Sequence, residues 1–241
     1  MRILYIFPHP DDESFGPAAS MYLQLKAGHE VFLYTLTKGG ATKVRHELGL
    51  SIEAMGEVRY QEMVAVENVL GLTGMRVDDF PDGQLAYMDP RVLEQAIQAH
   101  IEALQPQVVV TYPVYGISGF HDHLVAHAVI KRVYLELRDR QVPYLKRLAF
   151  LALPDNGESP FMGNNFRIKQ SPPGHIDCSM PLSDEARNAM REALNCYKTY
   201  QKTIAESQVV EKVGDTNHFE FFGESFDPPV TCMTHGLTDP A

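Results

Sequence analysis

His9, Asp11, Asp12 and Glu13 crowd into the stretch PHPDDE, directly after the apolar run at 3–7. A histidine and a carboxylate three positions apart on a turn can face one point, and both residue types ligate divalent cations. A second polar set, His121, Asp122 and His123, follows another apolar run much later in the chain. His9 and Asp12 from the first loop with His123 from the second would leave a fourth position open, the pattern of a catalytic rather than a structural zinc site. Nitrogen and oxygen donors without thiolate admit Zn2+ and also another divalent metal such as Fe2+. A bound cation brings the pKa of water down to about 7, and Asp11, next to a ligand, is the carboxylate placed to take the proton. Glu13 reads as stabilising the start of the following helix. The plainer reading of the whole turn is a helix cap, with Asp11 or Asp12 accepting backbone N–H groups. Adjacent acids repel unless a cation neutralises them, which favours the metal.

The elements around these residues follow from hydrophobic periodicity. Residues 2–7 and 30–37 read as buried strands with a helix over 16–27 between them, a β-α-β order that implies a parallel sheet. A helix over 56–71 directs Val58, Met63, Val66, Val69 and Leu70 toward a core, and MRVDDFPDG contains a short strand and a turn. Asp89 caps a helix over 90–105, opened by Pro90 and striped with Leu93, Ile97, Ile101 and Leu104. A strand at 107–112, a helix over 124–138 and a strand at 147–153 complete the pattern. The fold class is α/β: an open, mostly parallel Rossmann-like sheet with helices on both faces. Residues 1–241 are expected to form a single domain, with a core over 1–153 and an irregular C-terminal section over 154–241 that completes the site and tunes substrate choice. In that section 154–166 is turn-rich, 171–183 loop-like and 184–206 one longer helix, and the last thirty residues, HFEFFGESF included, show no clear period. Ligands of such sheets sit beyond the C-terminal strand ends. Three polar segments fall there: 9–13, 37–42 and 116–123.

Composition narrows the function classes. With 31 acidic against 21 basic residues the net charge is −10, a poor match for nucleic acid or an anionic membrane. Neither G-x-G-x-x-G after the first strand nor G-x-x-x-x-G-K-[ST] occurs, which weakens a nucleotide site. Cys178, Cys196 and Cys232 are widely spaced without a C-x-x-C pair, so a disulfide framework and a thiolate zinc site are both disfavoured. No apolar run approaches the roughly 20 residues of a membrane span and no secretory leader is visible, so the expected location is the cytoplasm.

PHPDDE after the first strand, with a distant x-x-D-H segment, resembles the PIG-L/LmbE family of zinc-dependent de-N-acetylases. YTLTKGG is similar to that family's second-strand segment, GEVRYQEMVAVENVLGL to its R-x-x-E helix, FPDGQL to its D-G turn, and YKTYQ to its late tyrosine/serine-glutamine segment. The resemblance implies zinc on His9, Asp12 and His123, Asp11 as general base, and Arg59 and Asp82 facing the sugar. The implied activity is removal of an acetyl or other N-acyl group from an N-acetylglucosamine-type amino sugar or glycoconjugate, a small-molecule substrate. Homo-oligomer formation, common in such relatives, is left open by this sequence. The family's second motif usually reads H-P-D-H, its first histidine serving as acid or oxyanion support with help from the aspartate. Here Phe120 occupies that histidine's position, so His121 becomes the candidate acid and Asp122 its helper. The alternative is a metal- or sugar-binding family member with little catalysis, because of Phe120.

Overall fold

Arg2–Phe7 is apolar on both faces because both faces are covered. In the computed structural model, which describes residues 1–157, 161–162 and 166–238, this strand (β1) is followed by α1 (Ala18–Lys26), β2 (Glu30–Thr35) and α2 (Val44–Glu47). Next come α3 (Ile52–Leu70), β3 (Gly74–Val77), α4 (Pro90–Leu104), β4 (Val108–Thr111), α5 (His121–Asp139) and β5 (Arg147–Ala152). A small hairpin, β6 (Phe161–Met162) and β7 (Phe166–Arg167), precedes β8 (Cys178–Pro181). The chain closes with α6 (Asp184–Cys196), α7 (Gln201–Ser207), α8 (Val209–Val213) and β9 (Thr216–Phe221).

The main sheet has seven strands in the order β3-β2-β1-β4-β5-β9-β8. β3, β2, β1, β4 and β5 run parallel, with Ile3 opposite Val31 on one side and Val108 on the other. Ile3, Tyr5 and Phe7 join the apolar cluster with α1, α3 and α6. Leu4 and Ile6 face the other way, onto α4 and α5. The strand order reverses between β1 and β4, so the loops after these two strands splay apart and leave a crevice. PHPDDE follows β1, and the His121–His123 set follows β4.

Several expected boundaries shift, each for a local reason. α1 begins at Ala18 rather than at 16, because the carbonyl of Asp11 accepts from the Ser14 and Phe15 amides and holds the preceding residues in turns. α3 begins at Ile52, capped by Ser51 Oγ accepting from the Ala54 amide at 3.1 Å, and Gly56 lies inside it. A Cβ on Gly56 would come within 3.1 Å of Lys38 Cβ, so glycine there admits the loop after β2. Met55, Met63, Val66 and Leu70 are buried as the stripe of α3, whereas Val58 and Val69 point outward. The expected helix over 184–206 is broken at Tyr197, whose ψ of 72° leaves the helical region. Its phenol instead reaches buried Glu13.

The last thirty residues hold a period that the sequence reading missed. Burial alternates along β9, with Asn217, Phe219 and Phe221 inward, the mark of a strand with one buried face. β9 pairs antiparallel with β5, and β8, in the stretch read as loop, pairs antiparallel with β9. Of the turn-rich stretch at 154–166, residues 158–160 and 163–165 lie outside the described residues.

Candidate metal centre

Asp11 stands at φ 84°, the left-handed region that aspartate tolerates better than most residues. That turn sends the chain back, so the His9 amide donates to Asp12 Oδ2 at 2.9 Å. Tyr112, just beyond β4, donates its phenol to Asp12 Oδ1 at 2.7 Å. The Asp12 carboxylate is thus held between the two loops of the crevice. His123 Nε2 lies 3.4 Å from Asp12 Oδ1, and His9 Nδ1 lies 3.6 Å from Asp12 Oδ2. Bonds of about 2.0–2.1 Å to a tetrahedral ion place neighbouring ligand atoms roughly 3.3–3.4 Å apart.

The far side of each imidazole decides which nitrogen can ligate. His123 Nδ1 is 3.0 Å from the Gly116 carbonyl, and His9 Nε2 is 3.1 Å from Asp122 Oδ2. Both partners only accept, so those nitrogens carry the protons. The lone pairs of His123 Nε2 and His9 Nδ1 are left facing Asp12. Metal-binding histidines are oriented in this way, by a carbonyl or carboxylate on the second nitrogen. The ligand atoms of His9, Asp12 and His123 lie within 4.8 Å of one another, a set that could hold a divalent cation. His9, Asp82 and Asp122 form another such group. There, however, the His9 nitrogen is the protonated one, and Asp122 already accepts from the amides of Gly83 at 2.8 Å and Leu85 at 3.1 Å. The donor chemistry therefore favours the Asp12 set.

Electrostatics point the same way. Burial lifts the Asp11 carboxyl to about 6 although Arg59 pulls against it, and burial raises Asp12 as well. A cation is the partner that would bring both down. Burial, with the neighbouring His9, pushes the His123 imidazole down to about 3, keeping it in the neutral form that metals bind. His9 runs against this: burial opposes its charge, but the bond to Asp122 and the charges of Asp12 and Asp82 outweigh it and lift His9 to about 9, so a cation would displace the Nδ1 proton as it binds.

The other expected site residues divide. Asp82 sits at the rim, with Oδ1 3.3 Å from His9 Nε2 and Oδ2 accepting from the Ala41 amide, so the 37–42 loop does reach the crevice. Arg59 is only 2% exposed, and its Nη2 donates to Asp11 Oδ2 at 2.6 Å. It has no bond to Glu62, which accepts instead from Thr199. His121 is not brought to the cluster. α5 starts at His121 rather than at 124, and successive helical residues turn by about 100°. With Asp122 and His123 buried, His121 is left exposed. Asp122 serves His9 rather than an acid at 121. Glu13 is not at a helix terminus: it is wholly buried and accepts from Ser14 Oγ and from the Tyr197 phenol. Burial lifts it to about 7, with those two bonds opposing. His127, to which the sequence assigned no role, is buried and packs on Phe150.

Sequence reasoning passed over Tyr112, Gly116 and Ser118. Tyr112 was visible only as the end of a buried run. Gly116 carried a signal in PVYGISG: at φ 64°, a Cβ there would lie 2.8 Å from His123 Cβ. Ser118 Oγ stands 3.0 Å from His123 Nδ1, beside the Gly116 carbonyl.

The sequence pattern of the PIG-L family, described as GlcNAc-PI de-N-acetylase, matches residues 4–134. The 1D-myo-inositol 2-acetamido-2-deoxy-alpha-D-glucopyranoside deacetylase of Kineococcus radiotolerans is 32% identical over 57% of this chain and 46% of its own. The probable N-acetyl-alpha-D-glucosaminyl L-malate deacetylase 2 of Bacillus anthracis is 27% identical over 88% of this chain and 90% of its own. The chain spans about half the length of most of the curated relatives it matches. Among solved structures, the zinc-inhibited form of teicoplanin deacetylase superposes with a TM-score of 0.70 at 14% identity, covering 92% of this chain and 97% of that one. At that identity the likeness is one of fold.

Proposed function

The chain belongs to the PIG-L family of GlcNAc-PI de-N-acetylases, and on that premise we propose that it is a zinc-dependent hydrolase that removes an acetyl or other N-acyl group from an N-acetylglucosamine-type amino sugar or glycoconjugate. The observation that carries this reading is the pair of oriented imidazoles, His9 and His123, facing one carboxylate, with a second carboxylate, Asp11, next to it. His9, Asp12 and His123 would hold the cation, and the same donors accommodate Fe2+. When bound, the ion supplies Lewis acidity toward an amide carbonyl and acidifies water.

The chain's own groups supply the rest. Asp11 Oδ2 is engaged by Arg59, and Oδ1 has no hydrogen-bond partner among the described residues. Oδ1 is therefore the oxygen that takes the proton as water attacks the acyl carbon. When the C–N bond breaks, Asp11 returns that proton to the departing amine. One carboxyl group then serves as base and acid, and no histidine is required at 120 or 121. Asp122 keeps His9 in its tautomer, Tyr112 keeps Asp12 in register, and Asp82 at the rim meets the sugar. The cytoplasm suits a chain whose Cys178, Cys196 and Cys232 are all unpaired.

Acetate release from a panel of N-acetyl amino sugars, measured on protein loaded with one equivalent of zinc, tests the proposal. Release from at least one sugar is expected. Stoichiometric zinc with no release from any sugar would overturn it, in favour of a metal- or sugar-binding protein.

A further inference from the structure

We infer that His127 is a positioning residue of the metal centre: by pinning the backbone of Tyr112 it holds both Asp12 and His123 for the cation. His123 and His127 stand one turn apart on α5 and so share a face of the helix. Each meets a carbonyl of the loop after β4. His123 Nδ1 is 3.0 Å from the Gly116 carbonyl, and His127 Nδ1 is 2.9 Å from that of Tyr112. Carbonyls only accept, so both rings carry a proton on Nδ1. Burial pushes the His127 imidazole below the usual histidine range, toward the neutral form. Two imidazoles thus fasten the two ends of the 112–116 turn to one helix. The turn needs fastening: Tyr112 lies one residue past Thr111, the last β4 residue paired with β5. Ile117 follows at φ 55°, a left-handed conformation that a β-branched residue keeps only when its surroundings impose it.

Tyr112 passes the constraint on to two ligands. Its ring lies parallel to the His123 imidazole, with 4.2 Å between centroids and 9° between planes. Its phenol donates to Asp12 Oδ1 at 2.7 Å, the oxygen that lies 3.4 Å from His123 Nε2. One side chain therefore sets the tilt of one ligand and the reach of the other. His127 itself belongs to neither candidate ligand group, and its ring packs on Phe150, the β5 residue opposite Thr111.

The role assumes the zinc site of the hydrolase reading, and zinc affinity tests it without turnover. Dissociation constants come from competition with a chromophoric chelator, on variants whose circular dichroism matches the wild type. His127→Leu, which loses the donor, is expected to weaken zinc about 10-fold, and Tyr112→Leu about 10–100-fold, the scale for groups that orient metal ligands. His127→Asn, which keeps a side-chain N–H, should stay close to the wild type. In a Tyr112→Leu background, His127→Leu should weaken zinc no further, because the two act in series. Unchanged affinity in His127→Leu, or a further 10-fold loss in the double variant, would overturn the inference. Should His127→Leu fail to fold, 15N NMR of the histidine rings in the zinc-loaded wild type decides. A neutral His127 protonated on Nδ1 is expected, and a proton on Nε2 instead sinks the role. A wild type that binds no zinc defeats the inference and the hydrolase reading together. If zinc affinities behave as expected but no sugar releases its acyl group, the hydrolase reading fails and the positioning role stands.

Discussion

Among the described residues two arginines are buried, and they are satisfied to different degrees. Arg147, on β5, uses every donor nitrogen: Nε and Nη2 grip Glu224 at 2.7 and 2.5 Å, Nη1 donates to the Met233 carbonyl, and Nη2 also reaches the His235 carbonyl. The Phe221 ring lies 4.2 Å from its Cζ. Arg59, at the crevice, leaves Nε unmade and spends Nη2 on a loop in an uncommon conformation. Glu13, two residues beyond Asp11, likewise keeps an unpartnered buried oxygen. A saturated buried charge clamps two parts of a fold together, here the sheet and the C-terminal segment. Incomplete satisfaction is costly, and next to the residues proposed to do chemistry it falls on Arg59 Nε and Glu13 Oε2.

The largest effect expected on the crevice side is Asp11→Asn, which should cut acetate release roughly 10²–10⁴-fold while metal analysis still finds one equivalent of zinc. Retained turnover would remove Asp11 from the chemistry. His123→Ala should reduce bound metal to background in the same analysis, and unchanged metal content would defeat the ligand set. On the clamp side, Arg147→Ala leaves Glu224 without its partner and should cost about 3 kcal/mol in a denaturant melt, with kcat of the folded fraction unchanged. If kcat fell as well, the division between clamp and site would be wrong. Burial, then the nearby Cys232, pushes the Cys178 thiol up to about 12. At pH 8 it is almost wholly protonated and should resist alkylation, so faster labelling in Arg147→Ala would report loosening of this edge. Ser183→Ala, removing the Oγ that accepts from the Ala186 amide at the start of α6, should cost about 1 kcal/mol and mark the small end of the scale.

The helix entering the crevice after β4 shows where sequence spacing misleads. His121, Asp122 and His123 read as three neighbouring loop residues, among which the acid role lost at Phe120 passes one place along. As the first turn of α5 they point in different directions. Phe120 is left 54% exposed with its ring edge against His123, and Asp122 turns to His9. The hydrophobic pattern could not locate this start, because the N-terminal turn of a buried helix carries its polar residues inward, toward the site.

The sequence by itself determined the parallel core and singled out His9, Asp12 and His123 as the candidate ligand set. Runs apolar on both faces imply a covered sheet, and short βα loops bring chemistry to one edge wherever the exact helix boundaries fall. HFEFF counts as a strand only once β5 lies beside it, since alternation within a few residues needs a partner to give one face an inside. Tertiary structure alone decided which nitrogen of each histidine faces Asp12, because the Gly116 carbonyl and the Asp122 carboxylate lie 7 and 113 residues away from their histidines. It also decided that Arg59, an ordinary surface residue by its spacing, is buried against Asp11 from 48 residues away and covered by Tyr200. Burial of a charge depends on groups distant in sequence, and local spacing carries no record of them.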